Sequence, residues 1–147
     1  MATLKDRITS DMKEAMKARD QMRLDTLRSA ISGFTYKRTE AGVDLTDADE
    51  IAVVQKLVKQ RSDSVTEFEK AGRMDLADKE RAERDILSAY LPAQKSPEEI
   101  RAIVKAALAA LPAESRNQGA AMKAVMPALR GLADGNLIRQ IVTEELA

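Results

Sequence analysis

Two prolines and a serine, Pro92, Ser96 and Pro97, divide this chain. A charged segment with helical patterning runs into Tyr90-Leu91-Pro92-Ala93-Gln94-Lys95-Ser96-Pro97-Glu98-Glu99. Pro92 lacks a backbone donor and disfavours the α conformation at Leu91, so the preceding helix is expected to stop there. Ser96 suits an N-cap, Pro97 fits a first turn, and Glu99 completes a Ser-x-x-Glu capping box. One helix ends and another starts within a few residues. The stretch reads as the border between an N-terminal helical domain, residues 1–91, and a small C-terminal helical tail domain, residues 92–147. The alternative is an ordinary inter-helix turn inside one domain.

The apolar residues on either side recur at helical spacing. Leu4, Ile8, Met12, Ala15 and Met16 predict a helix over 3–18. A break near Arg19-Asp20 separates it from a second stripe, Leu24, Leu27, Ile31 and Phe34, expected to end near Lys37. Gly42 and the acidic residues of 39–50 read as a loop, with Thr46 as the cap of a third helix over 47–70. Ala71-Gly72 ends that helix, and a fourth follows over 74–90. Beyond the border, Ile100, Ile103, Val104, Ala107, Leu108 and Leu111 predict a fifth helix closed by Pro112. Met122, Val125, Met126 and Leu129 predict a sixth, kinked or split by Pro127. Asp134 caps a last helix carrying Leu137, Ile138, Ile141, Val142 and Leu146. No strand pattern survives, so the expected class is all-α, an N-terminal helical bundle followed by the tail.

The side-chain inventory removes whole classes of chemistry. With no Cys there is neither a disulfide framework nor a thiol nucleophile. With no His, the commonest general base and metal ligand are missing. A zinc site and a His-dependent triad are thereby excluded; we expect no catalytic residue, no metal and no cofactor. Charge balances at 24 basic against 24 acidic residues, so any attraction to nucleic acid must come from a local patch. The charged start, Met1-Ala2-Thr3-Leu4-Lys5-Asp6-Arg7, has no apolar signal-like run, and no stretch approaches the ~18 apolar residues of a membrane span. These features predict a cytoplasmic protein with no membrane partner. Aromatic residues are only Phe34, Tyr36, Phe68 and Tyr90, which leaves few platforms for stacking bases.

Two charged clusters have plain readings. Basic residues outnumber acidic ones nine to five up to Arg38, which fits a solvated helix face. The fourth helix carries Asp75, Asp78, Glu80, Glu83 and Asp85 interleaved with Lys79, Arg81 and Arg84. Asp75–Lys79, Lys79–Glu83, Glu80–Arg84 and Arg81–Asp85 are each four apart, the spacing of surface ion pairs rather than of acid/base catalysis.

Three stretches taken in order resemble the GatB/YqeY domain family, and in particular its free-standing YqeY-like proteins. The first is Val58-Lys59-Gln60-Arg61, continuing through Glu67-Phe68 to Ala71-Gly72-Arg73 and Asp75-Leu76. The second is Tyr90-Leu91-Pro92 with Ser96 and Glu98-Glu99. The third is Gly119 and Met122, then Met126-Pro127 and Gly131-Leu132-Ala133-Asp134-Gly135. The family also forms the C-terminal portion of the B subunit of the glutamine-dependent tRNA amidotransferase, where a helical domain is followed by a tail that contacts tRNA. The ATP-using catalytic domain of that subunit lies outside the shared region.

The resemblance implies tRNA, an amidotransferase or another tRNA-metabolism protein as partner. It implies an RNA-binding set in the tail at Gly119, Lys123, Arg130, Gly131, Asp134, Gly135 and Arg139. It carries over no catalytic residue. A carbon–nitrogen ligase using glutamine as amide donor, and a protein-interaction adaptor without RNA binding, are the alternatives. Two tail positions that are often basic in the family are Ala120 and Leu132 here. From Pro92 onward, seven basic and six acidic residues leave a charge of only +1.

Overall fold

The computed structural model describes residues 3–147, and among these the chain is helical with no strand. Seven α-helices follow in order: α1 (Leu4–Lys17), α2 (Gln21–Ala41), α3 (Asp47–Lys70), α4 (Met74–Ser88), α5 (Pro97–Ala110), α6 (Gln118–Leu129) and α7 (Gly135–Leu146). A short 3₁₀ turn, Ala113–Ser115, lies between α5 and α6. The chain divides into two compact units, Met1–Leu91 and Pro92–Ala147.

Local chemistry sets most helix ends. Thr3, Thr46 and Ser96 each close a reciprocal capping box, with Asp6, Asp49 and Glu99 as the returning carboxylates. Asp20, Asn117 and Asp134 cap α2, α6 and α7 through one side-chain bond each. The turn between α1 and α2 places Arg19 at φ 57°, a left-handed position that a non-glycine residue adopts at some cost. Two expectations need correction. The second helix continues past Lys37 to Ala41, because nothing before Gly42 opposes helix; Gly42 then stops it at φ 73°. The sixth helix is not split, since Pro127 stands in its last turn, where a missing donor interrupts little of the ladder.

In the first unit Ile8, Leu27, Ala30, Phe34, Val54, Leu87 and Tyr90 make one buried apolar cluster drawn from all four helices and the residue pair after α4. Gly33 lets α3 approach α2: a Cβ there would come within 2.9 Å of Val53 Cγ1. Polar groups cross-link the same helices. Arg61 on α3 reaches Glu83 on α4 at 3.3 Å and Ser29 on α2 at 3.1 Å. Glu50, 5% exposed, accepts the Lys5 backbone N–H at 3.2 Å and so ties the start of α3 to the start of α1. The Tyr90 hydroxyl donates to Asp11, and the Arg7 guanidinium lies 5.4 Å from the centre of the Tyr90 ring. Burial, followed by the Asp11 contact, pushes the Tyr90 phenol up to about 12.

Of the four expected surface pairs on α4, Lys79–Glu83 forms at 3.8 Å. Asp75 pairs with Arg73, two residues before it, and Arg81 pairs with Asp78 and Glu69. Glu83 is only 17% exposed and belongs to the helix interface through Arg61.

The second unit packs Ile100, Val104 and Leu108 of α5, Ala121, Val125 and Leu129 of α6, and Ile138, Ile141 and Val142 of α7 around one core with Ala133. Arg101 clamps α5 to α7 through Glu144 at 2.5 Å and Glu145 at 2.6 Å.

The α5 capping box makes a measurable prediction. Ser96 Oγ accepts the Glu99 N–H at 3.1 Å, and Glu99 Oε1 accepts the Ser96 N–H at 3.3 Å. Ser96→Ala is expected to destabilise the second unit by about 1 kcal/mol. The Glu99 carboxyl is held below its ordinary pKa, chiefly by the Ser96 backbone N–H and then by the Ser96 side chain. A depressed carboxylate contributes above the unfolded value and loses that contribution as pH falls through the folded one. The stability gap between wild type and Glu99→Gln should therefore close as pH drops below the ordinary carboxylate range. Urea unfolding at neutral pH and again in acid tests both points. An unchanged midpoint for Ser96→Ala would rule Ser96 out as a cap that matters.

Candidate nucleic-acid interface

The seven tail residues singled out in the sequence fall into two groups in space. Gly119 and Lys123 lie one turn apart on the exposed side of α6, with Gly119 in its first turn behind the Asn117 cap. Arg130, Gly131, Asp134, Gly135 and Arg139 gather where α6 turns into α7. The rise of the helix puts the two groups about 15 Å apart along α6. Lys123 and Arg130 are seven residues apart, close to two helical turns, so they share a face. Lys123, Arg130 and Arg139 are all exposed.

At the turn, Gly131 adopts φ 79°, the left-handed conformation that glycine tolerates best. Gly135 shows no such requirement: its backbone is not left-handed, and a Cβ there would meet nothing within 4 Å. Of the two tail glycines, Gly131 alone uses the backbone freedom that glycine supplies. Asp134 accepts the Asn136 N–H at 3.1 Å and is the N-cap of α7. Its negative charge already occupies that helix end, which leaves side-chain cations as the main attraction for a phosphate. Arg139 donates to Asn136 Oδ1 at 3.1 Å, which orients its guanidinium over the first turn of α7. Arg116 is engaged elsewhere, donating to the Leu111 carbonyl at 3.1 Å.

Two residues outside the expected set belong to the same place. Gln94 Nε2 donates to the Gly131 carbonyl at 3.1 Å and to the Pro92 carbonyl at 2.8 Å. The Lys95 backbone N–H donates to the Leu132 carbonyl at 2.8 Å. These contacts join positions 37 residues apart, and no local sequence signal marks them.

The first unit carries clefts of its own. One, of about 730 Å³, is lined by Lys5, Phe34, Thr35, Arg38, Asp44 and Glu50 among others. Its buried carboxylate, Glu50, already caps the start of α1, and Arg38 pairs with Asp44 at 3.0 Å. Another, of about 380 Å³, runs between α2 and α3 beside Gly33, Tyr36 and Leu57. Among the described residues no group of three or more carboxylates is placed to hold a metal ion. Among the described residues no helix is long and apolar enough to cross a membrane.

The fold and the capped α6–α7 turn define an all-α protein whose helical bundle is followed by a small helical unit. A family model described as Yqey-like protein matches residues 5–146, and the chain belongs to that family. It is similar to the protein named Altered inheritance of mitochondria protein 41, mitochondrial, of Pyrenophora tritici-repentis, with 33% identity over 130 residues, covering 86% of this chain and 71% of that protein. The protein of the same name in Lachancea thermotolerans is 39% identical over 85 residues, 57% of this chain and 46% of its own length. That of Kluyveromyces lactis is 41% identical over 86 residues, 56% and 45% respectively. The chain thus matches less than half the length of the latter two.

These names overturn the expected cytoplasmic location, because the relatives are named as mitochondrial proteins. The expectation rested on a charged start without an apolar signal-like run and on the lack of an apolar span. Neither property distinguishes one compartment from another.

Proposed function

We propose that this protein is a helical accessory module that engages tRNA through its C-terminal unit, in association with an amidotransferase-like or other tRNA-metabolism partner. The observation that carries the reading is the α6 face with its following turn. Lys123, Arg130 and Arg139 are exposed there beside the left-handed Gly131 and the start of α7. Basic side chains are the groups that position a phosphate backbone. No aromatic residue lies between Pro92 and Ala147, so recognition rests on backbone and shape rather than stacked bases. The resemblance to the tRNA-contacting tail of the amidotransferase B subunit points the same way.

Binding is expected to be weak and to fall with salt, since each neutralised phosphate releases counterions. Replacing Lys123 and Arg130 together by Ala should weaken it and flatten the salt slope by about two, with helicity intact. Ala120→Lys with Leu132→Lys should strengthen it. A filter-binding titration of tRNA across a salt series decides. Identical binding by all three proteins, or no binding by any at low salt, would leave the balanced net charge as the better guide and favour a protein-interaction adaptor.

A further inference from the structure

We infer that the segment Pro92–Ser96 forms part of the tail's phosphate-binding surface, with Lys95 supplying a cation beside Leu132 and Gln94 holding it in place. This rests on the tRNA reading above and names a contact that reading lacks. The α6–α7 turn carries Arg130 at its start and Arg139 one turn into α7, while Leu132 and Ala133 between them are uncharged. Two hydrogen bonds lay the segment along the turn, and a third, from Gln94 to Pro92, braces the segment itself. Gln94 Nε2 reaches the Gly131 and Pro92 carbonyls, and the Lys95 N–H reaches the Leu132 carbonyl at 2.8 Å. A direct N–H to carbonyl bond brings the two backbones as close as neighbouring strands of a sheet, about 5 Å apart. The Lys95 backbone therefore lies beside that of Leu132.

The ammonium of Lys95 is available for exchange. Its side chain is 36% exposed, and it pairs with Glu99 at 3.6 Å. A partly exposed pair four residues apart is worth only a few tenths of a kcal/mol. A polyanion offers the ammonium several oxygens at once, while Glu99 keeps its bond from the Ser96 N–H within the capping box. Lys95 thus moves between carboxylate and phosphate without disturbing the start of α5. Gln94 acts as a positioning residue: its amide spans two carbonyls and touches no ligand itself.

The ligand class is the phosphodiester backbone of a folded RNA, and the probe is unfractionated tRNA titrated against the full chain across a salt series. Lys95→Gln should weaken binding about 3- to 10-fold at low salt and reduce the salt slope by about one, the signature of one lost phosphate contact. Lys95→Arg should restore both. Gln94→Ala should weaken binding but leave the slope unchanged, because no cation is removed. Lys105→Gln, an exposed α5 lysine, serves as the control and should bind as wild type. Salt-dependent binding by wild type with Lys95→Gln indistinguishable from it overturns this inference and leaves the tRNA reading standing. An equal loss in Lys105→Gln also overturns it, as the effect would then be one of overall charge. Failure of wild type to bind tRNA at low salt removes both.

Discussion

Glu83→Ala is expected to destabilise the protein by about 2–4 kcal/mol, far more than a surface charge on α4 would cost. Glu83 and Arg61 are 17% and 14% exposed, and their side chains meet at 3.3 Å between α3 and α4. Removing the carboxylate leaves the guanidinium buried with two neutral acceptors, Ser29 Oγ and the Leu57 carbonyl. Those satisfy hydrogen bonds but not charge. The paired replacement Arg61→Met with Glu83→Leu should recover most of the loss, because it removes both desolvated charges and fills the space with apolar groups. Urea unfolding followed by circular dichroism measures all three proteins. A Glu83→Ala midpoint within experimental error of wild type would show that this pair is an ordinary surface contact.

Ile138→Ala should unfold the second unit while sparing the first. Ile138 is fully buried in the core that α5, α6 and α7 share. Deleting its side chain costs about 2–4 kcal/mol, as lost transfer energy plus the cavity left behind. A unit as small as Pro92–Ala147 has little stability in reserve. Hydrogen exchange on the full chain is the direct measurement. Amides of α5, α6 and α7 should lose protection, and those of α3 and α4 should keep theirs. Loss of protection in α3 and α4 as well would mean that the two units unfold together.

The parts of this structure that could be read from sequence are those decided within a few residues. The Ser96–Glu99 box, the Thr46 cap and the Asp134 cap each depend on a side chain meeting a backbone group no more than three positions away, and the stop at Gly72 on glycine's own left-handed backbone. The family resemblance placed the candidate tail residues, and the structure shows that they occupy two places rather than one. What escaped the sequence depends on distance along the chain. Glu83 reads as one more charge in an alternating helix, and only the arrival of Arg61, 22 residues earlier, makes it interfacial. Glu50 reads as a first-turn acid of α3, yet its partner is the Lys5 N–H, 45 residues before it. Gln94 and Lys95 read as linker because the carbonyls they bond belong to a turn 37 residues later. Pro127 escaped for another reason: periodicity marks a helix but says little about which turn is its last.

The bond from Tyr90 to Asp11 spans 79 residues and has a consequence for synthesis. The α1–α2 and α3–α4 pairs are each assembled from neighbouring stretches and can form as the chain emerges. Tyr90 is contributed by nearly the last residue of the first unit, so α1 must wait for it. Until then the flank of α1 around Ile8, Arg7 and Asp11 lacks its final cover. A ribosome that pauses before codon 90 would hold an unfinished bundle with an open seam, the state most exposed to chaperones or to misassociation. The seam can close only after Tyr90 has cleared the ribosome, by which point synthesis has moved well into the second unit.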